Sequence, residues 1–216
     1  MFADRRDAGR QLAAALRSYA GRGDVLVLAL PRGGVPVGYE VAHALGAPLD
    51  IFIVRKLGVP FQPELAMGAV ASGGVRVVNS DVVRQLGISS QVIEQVAAEE
   101  EKEITRREQH YRAGRPAPPA AGRIVILIDD GLATGSTMRA AARALRLQQP
   151  AWLVVAVPVA TAQTCEDLRN EADEVICLAT PEPFYAVGQW YHDFGQTSDE
   201  EVRELLAAAG ARSPAS

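Results

Sequence analysis

The stretch VILIDDGLATGST, from Val125 to Thr137, decides the fold of this chain and its candidate chemistry. It begins with apolar residues, continues with two acids, and ends in a loop of small and hydroxyl-bearing residues. A helical pattern follows, whose inner face is formed by Met138, Ala141, Ala142 and Leu145. The stretch is therefore predicted to be a buried strand, a loop and the start of a helix.

The loop from Gly131 to Thr137 has the composition of an anion-binding site. Small residues let the backbone approach an anion closely, and the free N–H groups and dipole of the helix N-terminus attract negative charge. Thr134, Ser136 and Thr137 add hydroxyl donors. The lysine of a P-loop is absent, which excludes a Walker A nucleotide site.

The two acids that precede this loop, Asp129 and Asp130, need a separate explanation. In open parallel sheets, ligands bind beyond the carboxyl ends of the strands, where both acids are expected to lie. Two carboxylates would repel a phosphate unless they hold another group, and two neighbouring ribose hydroxyls are such a group. The acids would also favour positive charge that develops on a sugar ring. A helix N-cap with a second surface acid remains the alternative.

Apolar runs on both sides of this stretch predict an α/β fold. Val25–Leu30 and Leu49–Val54 read as buried strands that flank a helix over Val37–Leu45, which is the order of a parallel βαβ unit. Further strands and helices are predicted at Ile124–Ile128, Ser136–Leu147, Trp152–Val157, Gln163–Asn170, Glu174–Leu178 and Asp199–Ala209. The sum is a single domain over residues 1–216, a doubly wound parallel sheet with a small hood and a helical insertion.

The insertion occupies residues 57–120 and is predicted to contain a flexible loop, a hairpin and a long helix. Arg55–Glu64 reads as an irregular loop, because it holds two prolines and a glycine. Gly73-Gly74 predicts a hairpin between Ala66–Val70 and Val75–Val78. Ser89–Arg112 reads as a charged helix that faces solvent or a partner, and Ala113–Arg123 as a stiff linker. Outside the insertion, a helix is predicted at Asp4–Ser18 and a frayed tail at Gly210–Ser216.

Composition limits the classes of function. The chain has 216 residues, 48% hydrophobic and 22% charged, with a formal net charge of -4, so a basic DNA-binding face is not expected. The longest apolar run is too short to cross a bilayer, and the N-terminus lacks the apolar stretch of a signal peptide. A cytoplasmic protein is expected, with Cys165 and Cys177 as reduced structural thiols, because their spacing fits neither a CxxC motif nor a zinc site.

The acid pair and its loop resemble the 5-phosphoribosyl-1-pyrophosphate (PRPP) motif of type I phosphoribosyltransferases. That motif is an apolar run, two acids, four residues ending in threonine, and Gly-x-Thr. The resemblance implies that the acids hold the ribose hydroxyls and that the loop holds the 5-phosphate. The matching residues are Asp129, Asp130, Ala133, Thr134, Gly135, Ser136 and Thr137. The overall layout is most similar to uncharacterised bacterial phosphoribosyltransferase-domain proteins.

The same resemblance implies a pyrophosphate-binding loop after the first strand, where Pro31-Arg32-Gly33-Gly34 stands. Arg32 can pair bidentately with phosphate oxygens, and the two glycines would expose backbone N–H groups. This loop often carries a non-proline cis peptide in the family. Without the second motif, the segment would read as an ordinary turn.

Two further segments resemble parts of the family site. Arg55 and Lys56 correspond to the start of a flexible catalytic loop, in which Lys56 would neutralise the departing pyrophosphate; a solvated surface pair is the alternative. The C-terminal extension, residues 181–210, resembles the base-binding side of hypoxanthine-guanine phosphoribosyltransferases. There Phe184 or Tyr185 would stack on a base and Asp193 would contact Mg²⁺, whereas Trp190 and Tyr191 could equally close the core or a dimer face.

The resemblance implies a Mg²⁺-dependent, homodimeric enzyme that transfers 5-phosphoribosyl from PRPP to a small-molecule acceptor, a nucleobase or related amine, and releases pyrophosphate. One departure bears on the acceptor. Ala133 stands where the 6-oxopurine enzymes carry an acid that contacts the purine, so the sequence does not name the base. Two alternatives stay open: a non-catalytic regulator that binds PRPP or a nucleotide, and PRPP synthesis from ribose 5-phosphate and ATP.

Overall fold

The apolar runs of the sequence form one parallel sheet in the computed structural model, which describes residues 1–211. The strand order is β2-β1-β6-β7-β8, with every neighbouring pair parallel. The strands of the chain are β1 (Val25–Ala29), β2 (Leu49–Ile51), β3 (Val54–Val59), β4 (Gln62–Ala71), β5 (Val75–Val78), β6 (Ile124–Ile128), β7 (Trp152–Val159) and β8 (Glu174–Ala179). The predicted doubly wound α/β fold is confirmed.

Helices cover both faces of this sheet. They are α1 (Arg5–Ala15), α2 (Gly34–Leu45), α3 (Ser80–Leu86), α4 (Ser90–Arg112), α5 (Ser136–Leu147), α6 (Ala162–Leu168) and α7 (Asp199–Gly210). Helices α1, α2 and α7 bury apolar side chains against one face, and α5 and α6 against the other. Burial on both faces explains why β1 and β6 are continuously apolar and fully buried. Helix α7 continues to Gly210, the first residue of the predicted tail. The rest of that tail lies largely outside the described residues.

The topological switch point lies between β1 and β6. From β1 the chain winds to β2 on one side, and β6, on the other side, leads to β7 and β8. Loops that follow the two central strands diverge at such a point and leave a crevice at the carboxyl edge of the sheet. The segments that begin at Pro31 and at Asp129 both enter this crevice.

The prediction of an irregular loop over Arg55–Glu64 is wrong. The predicted strand Leu49–Val54 ends at Ile51, and Val54 begins β3, which pairs antiparallel with β4 in a separate three-stranded sheet β3-β4-β5. Pro60 falls in the turn, and Pro63 falls where register shifts around Gly58 interrupt the pairing. Because neither proline occupies a regular ladder position, the prolines do not prevent strand formation.

The hairpin and the long helix that were predicted for the insertion are confirmed. Strands β4 and β5 form the expected hairpin, and Gly73 and Gly74 at its turn both adopt positive φ, +83° and +72°. The Ser89 hydroxyl caps the long helix α4 by accepting the Val92 N–H. The short helix α3 was not predicted. None of the helices in residues 1–211 combines the length and apolarity needed to cross a membrane.

The prediction of reduced cysteines is wrong, because Cys165 and Cys177 form a disulfide. Cys165 lies on α6 and Cys177 on β8, the strand that follows this helix in the chain. The helix packs back on its own strand, which brings the two Cα atoms to 6.7 Å. Sequence spacings that identify metal and redox motifs do not predict this contact, because it depends on how helix α6 packs on strand β8.

The disulfide is expected to stabilise the fold measurably. Closing a loop with a sequence separation of 12 residues should contribute about 3 kcal/mol to the free energy of unfolding in the chain-entropy model. The double variant Cys165→Ala/Cys177→Ala should therefore unfold at a lower urea concentration than the oxidised protein. Dithiothreitol should produce a similar loss in the natural chain and none in the double variant. Equal urea midpoints for the oxidised and reduced chains would contradict this prediction.

Candidate functional site

The loop after β1 packs directly against the acid pair after β6. A Cβ atom at Gly33 would lie 2.0 Å from Asp130 Oδ2, and one at Gly34 would lie 2.8 Å from the Ile128 carbonyl oxygen. Both positions therefore require glycine, because the two loops approach closely. The Pro31–Arg32 peptide is cis, as the family resemblance implies.

The expected role of the glycine N–H groups needs a correction. The Gly34 N–H donates to the Leu30 carbonyl at 3.1 Å, so it is not free for a phosphate. Arg32 is the charged group of this loop, with its side chain 37% exposed and Nη1 3.6 Å from Asp199 Oδ1. The loop therefore offers an arginine and a close backbone approach rather than two exposed glycine N–H groups.

Asp129 and Asp130 lie at the carboxyl end of β6, as predicted, and each has one oxygen engaged. The Asp130 N–H donates to Asp129 Oδ1 at 2.9 Å. Arg5 Nε donates to Asp130 Oδ2 at 2.8 Å, and both side chains of this ion pair are largely buried, at 12% and 14% exposure. The acid pair is thus held in place from within the protein before any ligand is considered.

Arg5 contacts the acid pair, a role that was not predicted from the sequence. It lies in the first turn of α1, its Nη1 donates to the Gly195 carbonyl at 2.6 Å, and its guanidinium stacks 3.9 Å from the centroid of the Phe194 ring. A signal was present, since a cation at a helix N-terminus opposes the helix dipole. Such a local conflict often marks a residue that serves another part of the molecule.

Burial and mutual repulsion set the electrostatics of the pair. Burial, and then the charge of Asp130, raises the pKa of Asp129 well above its usual range. Burial also raises the pKa of Asp130, and the hydrogen bond and charge of Arg5 oppose that rise. Arg5 therefore favours the carboxylate form of Asp130, the form that can accept hydrogen bonds from hydroxyl groups.

The C-terminal extension lies against the acid pair. The Tyr191 hydroxyl donates to the Asp130 carbonyl, and a Cβ at Gly131 would lie 2.5 Å from Val187 Cγ1. Tyr191 is 5% exposed and packs on Phe2, so it closes a small core, one of the two roles considered for it. Burial raises the pKa of Tyr191, which keeps its hydroxyl protonated as a donor.

The predicted phosphate loop forms an open helix N-terminus. Gly135 adopts φ +65° and precedes α5, whose first turn receives no side-chain cap. Thr134, Ser136 and Thr137 are exposed, and the Thr134 and Ser136 hydroxyl oxygens are 3.3 Å apart. Uncapped N–H groups beside exposed hydroxyls are suited to bind a phosphate.

Two threonines at the N-terminus of α6, the N-cap Thr161 and Thr164, support this loop and were not predicted. The Thr161 hydroxyl donates to Thr164 Oγ1 at 2.8 Å, and the Thr164 hydroxyl donates to the Ala133 carbonyl at 2.8 Å. A Cβ at Gly135 would meet Thr164 Cγ2 at 2.5 Å. The loop is therefore fixed from behind by α6, next to the disulfide at Cys165.

Replacing Gly135 by alanine should test this packing. Alanine at φ +65° costs about 1–2 kcal/mol, and relief of the contact with Thr164 costs about 1–3 kcal/mol more. Gly46→Ala is the matched control, because Gly46 has φ +66° with nothing within 4 Å of the added Cβ. Urea unfolding should show the larger loss for Gly135→Ala, and only that variant should bind ribose 5-phosphate more weakly. Equal losses would contradict the assigned contact.

The structure does not bring Arg55 and Lys56 into contact with these loops. Both lie on β3: Arg55 Nε is 2.6 Å from Glu100 Oε2 of α4, and Lys56 Nζ is 3.5 Å from Glu64 Oε2. Their predicted role in binding pyrophosphate would require these ion pairs to exchange for the ligand.

The other predicted residues of the C-terminal extension lie within residues 184–195, which we call the hood. The Phe184 ring stacks on Trp190 at 6.4 Å, whereas Tyr185 is 77% exposed. Asp193 Oδ1 accepts the Gly195 N–H at 3.0 Å, and its side chain borders a cavity of about 260 Å³ that Arg5 also lines. Tyr185 is thus the more accessible of the two candidate stacking rings.

The arrangement of the acidic side chains indicates how the expected Mg²⁺ could bind. Residues 1–211 contain no group of three or more histidine, cysteine, aspartate or glutamate side chains arranged to hold a metal. Mg²⁺ commonly binds through one or two carboxylates while substrate phosphates and water supply the other ligands. The donor set therefore fits a cation that arrives with a phosphorylated ligand, and it does not form a dedicated protein cage.

Comparison with known proteins identifies relatives of this chain. The family model described as "Phosphoribosyl transferase domain" matches residues 61–194. The Mycobacterium tuberculosis H37Rv protein with the provisional name phosphoribosyl transferase Rv0571c is 50% identical over 209 residues, which are 97% of this chain and 47% of that protein. The chain thus spans about half the length of the curated relatives it matches.

Solved structures show the same fold. The crystal structure of the TT1426 protein from Thermus thermophilus is 44% identical, with a TM-score of 0.85 over 96% of this chain and 98% of that one. The AQ2163 protein from Aquifex aeolicus, at 11% identity and a TM-score of 0.51, covers 94% of this chain and 85% of its own and shares the fold alone. On the family match and the 50% identity to the Mycobacterium tuberculosis protein, the chain belongs to the phosphoribosyltransferase family.

Proposed function

We propose that this chain transfers the 5-phosphoribosyl group of PRPP to a nucleobase or related amine and releases pyrophosphate. One observation carries the proposal: the acid pair Asp129-Asp130 directly follows β6 and precedes the open N-terminus of α5. This places acceptors for hydroxyl groups and donors for a phosphate on one short segment. A ribose 5-phosphate carries both groups.

Each part of PRPP has a binding element. The segment Ala133–Thr137 binds the 5-phosphate, and the second oxygens of Asp129 and Asp130 accept the ribose hydroxyls. The pyrophosphate lies toward Arg32, whose loop contacts the acid pair through Gly33. Lys56 joins it only if its exposed ion pair with Glu64 opens.

The reaction needs no covalent bond to the protein. The lone pair of the acceptor nitrogen forms a bond to C1 of the ribose, and the C1–O bond to pyrophosphate breaks with its electron pair on the departing oxygen. The acceptor nitrogen then loses its proton to solvent or to the released pyrophosphate. Positive charge that develops on the ring in the transition state is stabilised by the two carboxylates.

The proposed cofactor is Mg²⁺. Bound with PRPP, it would neutralise pyrophosphate oxygens, while Asp193 is the candidate protein contact at the hood. The carboxylates of Asp129 and Asp130 orient the ribose, and Arg5 maintains the charge of Asp130. These roles of the protein residues do not depend on a dedicated metal cage.

The acceptor is proposed to bind between the acid pair and the hood. Val187 and Tyr191 contact the acid-pair segment, which fixes the C-terminal extension beside it. The exposed Tyr185 ring offers a flat apolar surface on which a heterocycle could stack, with Phe184 behind it on Trp190.

A screen for pyrophosphate release tests the proposal. The chain, PRPP and MgCl₂ are incubated with a panel of purines, pyrimidines and simple amines, and pyrophosphate is detected enzymatically. We expect release that depends on one acceptor class. Calorimetric binding of PRPP without product from any acceptor would instead indicate a non-catalytic PRPP-binding regulator. A homodimer, proposed on the family resemblance, is tested by light scattering of the same sample.

A further inference from the structure

A cationic pocket lies between the Arg32 loop and the C-terminal part of α4. Its volume is about 220 Å³, and its lining residues are Arg32, Arg106, Arg107, His110, Tyr111 and Asp199. Four of the six can carry positive charge and one is an acid. Helix α4 of the insertion therefore forms one wall of this pocket, opposite the Arg32 loop. The charges of this helix were expected to face solvent or a partner.

The pocket wall on α4 is anchored to the rest of the fold. Arg112 Nε is 2.9 Å from Asp50 Oδ2, with both side chains below 10% exposure, and Arg112 Nη2 donates to the Ile51 carbonyl at 3.1 Å. One residue earlier, the buried Tyr111 donates to Asp199 Oδ1 at 2.7 Å. Strand β2 and helix α7 therefore fix the turn that carries the basic residues.

The acids around the pocket hold its cations in partly exposed ion pairs, which include Arg32 Nη1 at 3.6 Å from Asp199 Oδ1. Glu103 bridges Arg106 and Arg107 at 2.8 and 2.7 Å, in i,i+3 and i,i+4 pairs on the helix surface. Such exposed pairs are weak and exchange readily for a stronger anion. Inside the pocket, the Tyr111 hydrogen bond and the charges of Arg32, His110 and Arg107 lower the pKa of Asp199, which reflects cationic surroundings.

We propose that this pocket binds a phosphate group, in the form of a pyrophosphate or a phosphomonoester. Arginine presents planar pairs of N–H donors that match phosphate oxygens, and three arginines converge here. Arg32 belongs both to this pocket and to the loop against Asp130, so a bound phosphate group lies beside the ribose site. The proposal rests on the proposed function only for the source of the phosphate, which is the donor's pyrophosphate or a phosphate on the acceptor.

Calorimetry with sodium pyrophosphate as the probe tests the pocket. The double variant Arg106→Ala/Arg107→Ala should bind pyrophosphate at least about tenfold more weakly than the natural chain, because two charge-assisted contacts are lost. Arg169→Ala is the matched control: Arg169 is 65% exposed and paired i,i+3 with Glu166, as Arg106, 68% exposed, is paired with Glu103.

The outcomes separate the source of the phosphate from the existence of the pocket. If saturating PRPP abolishes the arginine-dependent binding of pyrophosphate, the pocket holds the donor's pyrophosphate. If that binding persists beside PRPP, the pocket serves a phosphate on the acceptor. Equal pyrophosphate affinities for the natural chain and the double variant overturn the proposal, whether or not PRPP is turned over. Should the double variant fail to show a cooperative thermal transition, Arg106→Gln and Arg107→Gln singly should each weaken binding about threefold.

Discussion

Replacement of Asp130 by asparagine is expected to slow pyrophosphate release from PRPP by about two to three orders of magnitude, the usual cost of losing one transition-state stabilising group. The amide still fits the space, but it carries no negative charge to stabilise the developing ring cation. It also leaves Arg5 without its counter-ion at 2.8 Å. The measurement is the steady-state rate of pyrophosphate formation with the best acceptor found in the screen.

The matched control for this change is Asp81→Asn. Asp81 is an exposed acid on α3 that also pairs with an arginine, Arg84, and it lies outside the assigned site. We expect its turnover to remain within about twofold of the natural chain, in keeping with a surface substitution. Natural turnover by a folded Asp130→Asn variant would refute the assignment of the acid pair to the ribose.

Removal of the Arg5 guanidinium by Arg5→Ala should make the activity more sensitive to acid. Burial already raises the pKa of Asp130, and Arg5 is the charge that opposes this rise. Without Arg5 the pKa rises further, so the carboxylate is protonated at higher pH and the acid limb of the pH–rate profile moves toward alkaline pH. Removing an opposite charge at this distance raises a carboxyl pKa, so the ratio of activity at pH 6 to that at pH 8 should fall below the ratio of the natural chain.

The neighbouring arginine supplies a control for this effect. Arg6 is also in the first turn of α1, but its guanidinium is 3.3 Å from Glu40 and its side chain is 47% exposed. Arg6→Ala should keep the natural pH profile. If Arg5→Ala lowers the rate equally at every pH, Arg5 acts only in packing, through the Phe194 ring, and the electrostatic role is refuted.

Features coded by neighbouring residues could be predicted from the sequence. Strand β6 and helix α5 have the predicted bounds, because a fully buried strand and a one-sided helix leave distinct patterns of apolar residues. The acid pair and the phosphate loop lie on the same short segment, so their chemistry could be inferred without knowledge of any distant contact. The Gly73-Gly74 turn was predictable for the same reason.

Features that depend on contacts between residues far apart in the chain could not be predicted from the sequence. Arg5 meets Asp130 across a sequence separation of 125, and no local pattern links them. Thr164 could be seen near a helix start, yet its hydrogen bond to the Ala133 carbonyl depends on how α6 packs behind the loop. The disulfide and the β3–β4 hairpin were mispredicted because rules for cysteine spacing and for proline do not include the tertiary arrangement.

The position of the amino terminus has a practical consequence for experiments on this chain. Phe2 pairs with Tyr191: its N–H donates to the Trp190 carbonyl, and its carbonyl accepts the His192 N–H. Only three residues later in the chain, Arg5 contacts Asp130 of the acid pair. A purification tag joined ahead of Met1 would therefore emerge beside the acid pair. Such a tag should therefore be removed before PRPP titrations.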